Sequence, residues 1–247
     1  MTRVLLVGES WVIHSIHVKG FDSFTTSEYA EGGEYLLAAL RAAGAETGFI
    51  PAHLAPDTAP ETREELAAWD VVILSDIGTN SLLISRRVWA GEQRPNRLEL
   101  LEQWVHEGGS LVMCGGFMTF AGIDGKARYH GTPVESALPV AISPVDDRVE
   151  NPSHNRPAVV EPNHPVTRGL PEVWPGLLGY NRVTAKDGAV VLMTVNGDPF
   201  VVVGEHGRGR SLAYAGDVGP HWGPRELVTS EAYRQFWAQA IGWLCRR

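Results

Sequence analysis

Cys114 closes the apolar run Leu111-Val112-Met113, and two glycines follow it. A thiol at the junction of a strand and a tight turn is lifted toward a pocket. The N–H groups of Gly115 and Gly116 then stand where an oxyanion needs donors. Such a nucleophile needs a base, and His221 lies on a loop after a late strand. The plainer reading is that Cys114 is the last buried residue of its strand, since free cysteine is commonly buried and inert. Val112 stands two positions before the thiol, where a nucleophile elbow carries glycine. Glu9, just past the first apolar run, is a candidate general base. A carboxylate there can equally cap a helix or pair with an arginine.

Ligands of open α/β sheets bind beyond the carboxyl ends of the strands. That rule adds Ser10, Asp76, Gly115, Gly116, Asp217 and Trp222 as candidate ligand contacts, each on a segment that follows an apolar run. His14 and His17 could hold a metal with Glu9 or Asp76, but a bare pair three residues apart is a weak zinc signal, and both also read as ordinary loop histidines. The expected site therefore contains no metal and no cofactor. Gly207-Arg208-Gly209 is read as a hairpin turn, because no helix begins after it to present an anion site.

The elements that must position these residues alternate. Residues 3–8, 47–50, 71–74 and 110–114 read as short buried strands. Residues 28–43, 60–68 and 96–107 read as helices, with Gly44 and Gly108 as stop signals. A polar and aromatic loop is expected over 9–26. This β-α-β alternation predicts an α/β fold with a doubly wound, mostly parallel sheet and helices on both faces. Residues 123–178 are rich in Pro, His, Asn and Gly. They read as an irregular excursion within a single domain over 1–247, with short strands near Val140 and Val159. Strands return at 189–195, 200–205 and 211–215, and an amphipathic helix at 230–244 closes the chain.

The sequence has 247 residues, 44% hydrophobic and 20% charged, with a net charge of -8. No predicted helix gathers Lys or Arg, which disfavours nucleic acid and anionic membranes as partners. Two cysteines make no disulfide framework, and no apolar run reaches spanning length, so a cytoplasmic setting is expected. A small molecule is the expected ligand. Trp89, Trp174 and Trp222 fall in irregular segments and, if exposed, would mark a contact surface of a homodimer or higher homo-oligomer.

Several segments resemble one family. Gly8-Glu9-Ser10-Trp11, Lys19-Gly20-Phe21-Asp22-Ser23-Phe24, Gly115-Gly116-Phe117-Met118-Thr119-Phe120 and Leu138-Pro139-Val140 are similar to those of glutamine amidotransferase-like bacterial cytoplasmic proteins. Asn163-His164-Pro165-Val166-Thr167-Arg168-Gly169 and Pro220-His221-Trp222 fit the same family. The resemblance covers nearly the whole chain. It implies a class I glutamine amidotransferase-like (flavodoxin-like) three-layer sandwich, similar also to trehalose-utilisation-type proteins. It places Cys114 and His221 near the positions of a Cys-His-Glu triad. The His-x-Glu pattern is absent, with Gly223 two residues after His221 and Glu226 five after. The resemblance thus implies a small-molecule pocket without efficient glutaminase activity. The alternatives are a Cys/His-dependent or metal-assisted hydrolase of a small C–N or ester substrate, and a non-catalytic subunit that binds a sugar or amino-acid-like ligand.

Overall fold

The computed structural model describes residues 1–246. The chain opens with β1 (Arg3–Gly8), whose apolar side chains are buried on both faces of the sheet. A long hairpin follows, β2 (Ser10–Lys19) and β3 (Asp22–Glu31), paired antiparallel along its full length. Then come α1 (Glu34–Ala42), β4 (Glu46–Pro51), α2 (Ala55–Thr58), α3 (Arg63–Leu66) and β5 (Val71–Ser75). The next elements are α4 (Thr79–Leu83), α5 (Arg86–Trp89), α6 (Arg97–His106) and β6 (Ser110–Cys114). The middle of the chain holds α7 (Pro133–Ala137), β7 (Val140–Ala141), β8 (Arg148–Asn155) and β9 (Pro157–Val159). It ends with β10 (Leu177–Asn181), β11 (Thr184–Ala185), β12 (Val190–Val195), β13 (Asp198–His206), β14 (Gly209–Tyr214), α8 (Arg225–Val228) and α9 (Glu231–Leu244).

Eight strands form the central sheet in the order β4-β1-β5-β6-β14-β13-β12-β9. The first five run parallel, and the last three continue antiparallel. The chain leaves β1 toward β4 and returns toward β5 and β6. Right-handed crossovers therefore put α1 on one face and α3 to α6 on the other. Helix α9 packs beside α1. Its buried stripe of Tyr233, Phe236, Trp237, Ala240, Ile241 and Leu244 has the spacing of one helix face. One contiguous apolar core runs along the sheet.

Local signals explain the boundaries. Gly44, at φ +82°, ends α1 with N–H bonds from Gly44 to Arg41 O (2.9 Å) and from Ala45 to Leu40 O (3.1 Å). Asn96 caps α6 and Ser230 caps α9 through their side-chain oxygens. The helix expected over 60–68 is one turn long, started by a Thr62–Glu65 capping box.

Three expectations change. The loop foreseen over 9–26 is a hairpin, and its β-branched and aromatic residues supply the propensity for it. The helix expected from residue 28 starts at Glu34, because 28–31 complete the hairpin's second strand. The excursion over 123–178 contains α7 and the eight-residue β8, which pairs with β10 across a register shift. Pro152 and the polar sequence of β8 hide it from any alternation test.

Candidate functional site

The register of the parallel strands builds the site. Gly8, Ser75, Cys114 and Tyr214 are neighbours in one row across β1, β5, β6 and β14. The next residue along each strand is Glu9, Asp76, Gly115 or Ala215. Four segments far apart in the chain therefore end at one level, and Asp217 lies two residues further on.

Two of these carboxylates sit on unusual backbone. Glu9 has φ +48° and Asp76 φ +45°, a region that non-glycine residues seldom occupy. The Glu9 side chain is buried and the Asp76 side chain lines the cleft. Glu9 is 1% exposed; its Oε2 accepts the Ser75 hydroxyl at 2.5 Å. Gly32 and Gly219 leave room beside it: a Cβ on Gly32 would stand 2.4 Å from Glu9 Oε1. Burial, then the charges of Asp217 and Asp76, push the Glu9 carboxyl well above the usual carboxylate range. Asp76 accepts the Met118 N–H at 2.7 Å. Its burial and the neighbouring Asp217 push its pKa up to about 6.

Asp217 accepts the Gly219 N–H at 2.9 Å and places Oδ2 3.7 Å from His221 Nδ1. That carboxylate raises the His221 pKa against the opposing effect of partial burial. The His221 ring meets Phe117 edge-on at 4.8 Å between centroids. Trp11, Asp76, Phe117, Met118, Ile123, Asp217 and His221 line a cleft of about 440 Å³ at this end of the sheet.

Cys114 does not take the position a nucleophile requires. It is fully buried and belongs to β6 itself. Its row neighbour Tyr214 packs against Phe236 and Trp237 of α9, so the thiol faces the interior on the α9 side. Burial, reinforced by Glu9 and Asp217, raises the thiol well above its ordinary pKa. The expected oxyanion donors are also committed. Gly115 N–H bonds to Tyr214 O and Gly216 O, both at 2.8 Å, and Gly116 N–H bonds to Asn181 Oδ1 at 2.9 Å. Gly115 is glycine for packing: a Cβ would stand 2.2 Å from Ala215 O.

The remaining sequence candidates divide. Ser10 accepts the Ala52 N–H at 2.8 Å and joins the hairpin base to the body. Trp222, expected to contact ligand, is fully buried; its indole donates to Glu150 at 3.0 Å and its ring supports Phe117 from behind. Trp174 is buried as well, so only Trp89 of the three tryptophans weighed for an interface is exposed. His14 and His17 stand on opposite faces of β2, where they bond Ser27 (2.7 Å) and Thr26 (3.2 Å), and His17 stacks on Phe24. They do not converge on Glu9 or Asp76. Among the described residues no group of three or more His, Cys, Asp or Glu is arranged to hold a metal ion.

Sequence reading missed Trp11, Phe117, Met118 and Ile123 as walls, and Asn181 as a support. Asn181 is buried and donates to Asp147 at 2.8 Å, while Asp147 accepts the Ala121 and Gly122 N–H groups. This network fixes the loop that carries Phe117 and Met118. Trp11 and Phe117 each adjoin a candidate residue in sequence, and an aromatic beside a strand-end glycine or carboxylate was the available signal.

A family model described as "Putative glutamine amidotransferase" matches residues 3–246. The chain is 40% identical to a cytoplasmic protein of Salmonella typhimurium, with a TM-score of 0.94 over 98% of both chains. A second cytoplasmic protein, from Salmonella typhimurium LT2, gives the same identity and score over 98% of this chain and 99% of its own. A ThuA-like protein of Bacteroides uniformis shares the fold at 13% identity and a TM-score of 0.58, over 98% of this chain and 91% of its own. No curated protein matches the sequence. No helix among the described residues is long and apolar enough to cross a membrane. With its fold, strand-end site and nearly full-length match, the chain belongs to the glutamine amidotransferase-like family.

Proposed function

We propose that the cleft binds a small sugar-like or amino-acid-like molecule in the cytoplasm, and that the chain is not an efficient glutaminase. One observation carries the reading. Asp76, Asp217 and His221 line the cleft, while Cys114 lies buried beneath it with an unfavourable thiol pKa. Carboxylates accept hydroxyl or ammonium donors, and the Trp11 and Phe117 rings offer apolar faces to a carbon skeleton. No cofactor enters this reading.

A second reading, hydrolysis of a small C–N or ester substrate, has one observation in its favour. His221 is held by Asp217 in the same cleft as Asp76, whose pKa of about 6 suits proton transfer near neutrality. Water, not Cys114, would then be the nucleophile.

The test combines thiol reactivity with ligand binding. A disulfide reagent at neutral pH should label Cys114 only as fast as the protein opens, and glutamine should release no ammonia. Thermal-shift screening against monosaccharides, disaccharides and the standard amino acids should find a stabilising ligand. His221→Ala should weaken its binding, and Cys114→Ser should leave it nearly unchanged. Rapid labelling of Cys114, with glutamine-dependent ammonia release that Cys114→Ser abolishes, would overturn the proposal.

A further inference from the structure

The titratable groups that line the cleft are two carboxylates, Asp76 and Asp217, and one imidazole, His221. Among the described residues no lysine or arginine lines it. Asp217, its side chain 8% exposed, holds His221 at 3.7 Å. Asp76 accepts the backbone N–H of Met118 and shares the influence of that same imidazole. Glu9 lies beneath and acts on neither as a cation. Arg148 stacks over Phe117 at 4.9 Å from the ring centroid, but it is paired with Asp146 at 2.8 Å and faces Glu150 at 3.9 Å. Glu150 also acts on His221, in the same sense as Asp217 and Asp76. The cleft therefore gathers more negative than positive charge.

Its remaining walls are apolar. Met118 and Ile123 offer no charge, and Trp11 lines the cleft with its ring 37% exposed. Phe117 already carries the Arg148 guanidinium, so Trp11 is the ring free to receive a cation. The volume of about 440 Å³ suits a small molecule.

We infer that the cleft takes an organic cation: an amine protonated at neutral pH, on an apolar or aromatic body and without a carboxylate. The inference rests on the small-molecule reading of the cleft and narrows its ligand class. The ammonium is the missing counter-ion of Asp76, and the body covers Met118, Ile123 and Trp11. A free amino acid brings a carboxylate that Asp76 and Asp217 repel and that no lining lysine or arginine receives. A neutral polyol leaves hydroxyls unpaired against Met118 and Ile123. The chain's net charge of -8 draws cations in from a distance. Ionised Asp76 is the form that holds the ammonium, so binding falls as pH drops through about 6. Protonation of His221 over the same descent adds positive charge and acts in the same direction.

Isothermal titration on the full chain at pH 7.5 tests this. It compares amines with their parent amino acids: phenethylamine with phenylalanine, tyramine with tyrosine, cadaverine with lysine and agmatine with arginine. Phenethyl alcohol is the neutral control. At least one amine should bind about tenfold tighter than its parent amino acid, and about tenfold weaker at pH 5. Asp76→Asn, which keeps an acceptor for the Met118 N–H, should weaken that amine about tenfold. Glu64→Gln, which removes an exposed carboxylate of α3 outside the cleft, should leave it unchanged. If amino acids, sugars or phenethyl alcohol bind and no amine binds tighter than its parent, the inference is overturned and the small-molecule reading stands. An amine whose affinity survives both Asp76→Asn and pH 5 overturns it equally. No binding by any amine, amino acid or sugar overturns both.

Discussion

Asp217 holds His221 at the mouth of the cleft, with 3.7 Å between carboxylate Oδ2 and imidazole Nδ1. The pair favours the imidazolium, so the folded protein binds that proton more tightly than the unfolded chain does. Its contribution to stability is complete below the unfolded histidine pKa of about 6.5 and is lost as pH rises through the higher folded value. Asp217→Asn should lower the His221 midpoint, read by NMR titration of its ring protons. An unchanged midpoint would show that another group sets it.

Asp76 also binds its proton more tightly in the folded protein, but here the cause is burial of a carboxylate and not an ion pair. Its carboxyl, buried and with a pKa of about 6, destabilises the fold as it ionises between its unfolded value and that one. A shift of this size corresponds to roughly 2–3 kcal/mol. Asp76→Asn removes the charge, can still accept the Met118 N–H, and suits the positive φ. The variant should melt several degrees above wild type at pH 8, with a gain that shrinks toward pH 5. Equal gains at both values would contradict the assignment.

Asn181→Ala should cost about 2–4 kcal/mol in a denaturant titration. It leaves the Gly116 N–H and the Asp147 carboxylate without their buried partner. It should also weaken ligand binding through the Phe117 loop, although Asn181 does not line the cleft.

Gly32→Ala introduces a methyl 2.4 Å from Glu9 Oε1 and 3.2 Å from the Trp11 ring. Either the carboxylate or the hairpin base must shift, which should lower stability by about 1–3 kcal/mol. Tryptophan fluorescence should change in the same variant. A native melting curve with unchanged emission would show that the space is looser than the geometry indicates.

The sheet was legible because its parallel strands are buried on both faces and read as unbroken apolar runs, as in Val4 to Val7 and Val71 to Leu74. Strand ends then located Glu9, Asp76 and Asp217 without any structure. The hairpin was not legible: both its faces are solvent-exposed, so no burial pattern marks its period. The sequence left Cys114 open between two readings for a related reason. The sequence places it at a strand end but does not say which face its side chain takes, and register with Tyr214 decides that it faces α9. Trp222 was misplaced because a loop position near a site suggests exposure, whereas its indole is committed to Glu150.

The acidic residues beneath and along the cleft come from opposite ends of the chain, Glu9 from just past the first strand and Asp217 from beyond the last. About two hundred residues separate them, so contacts of very high sequence separation must form before either is in place. During synthesis the amino-terminal strands emerge long before β14, the partner that flanks β6. A chain that stops before β14 lacks Asp217 and His221 and therefore has no complete cleft. On the proposed function, ligand binding would therefore report that β14 and the residues after it are in place.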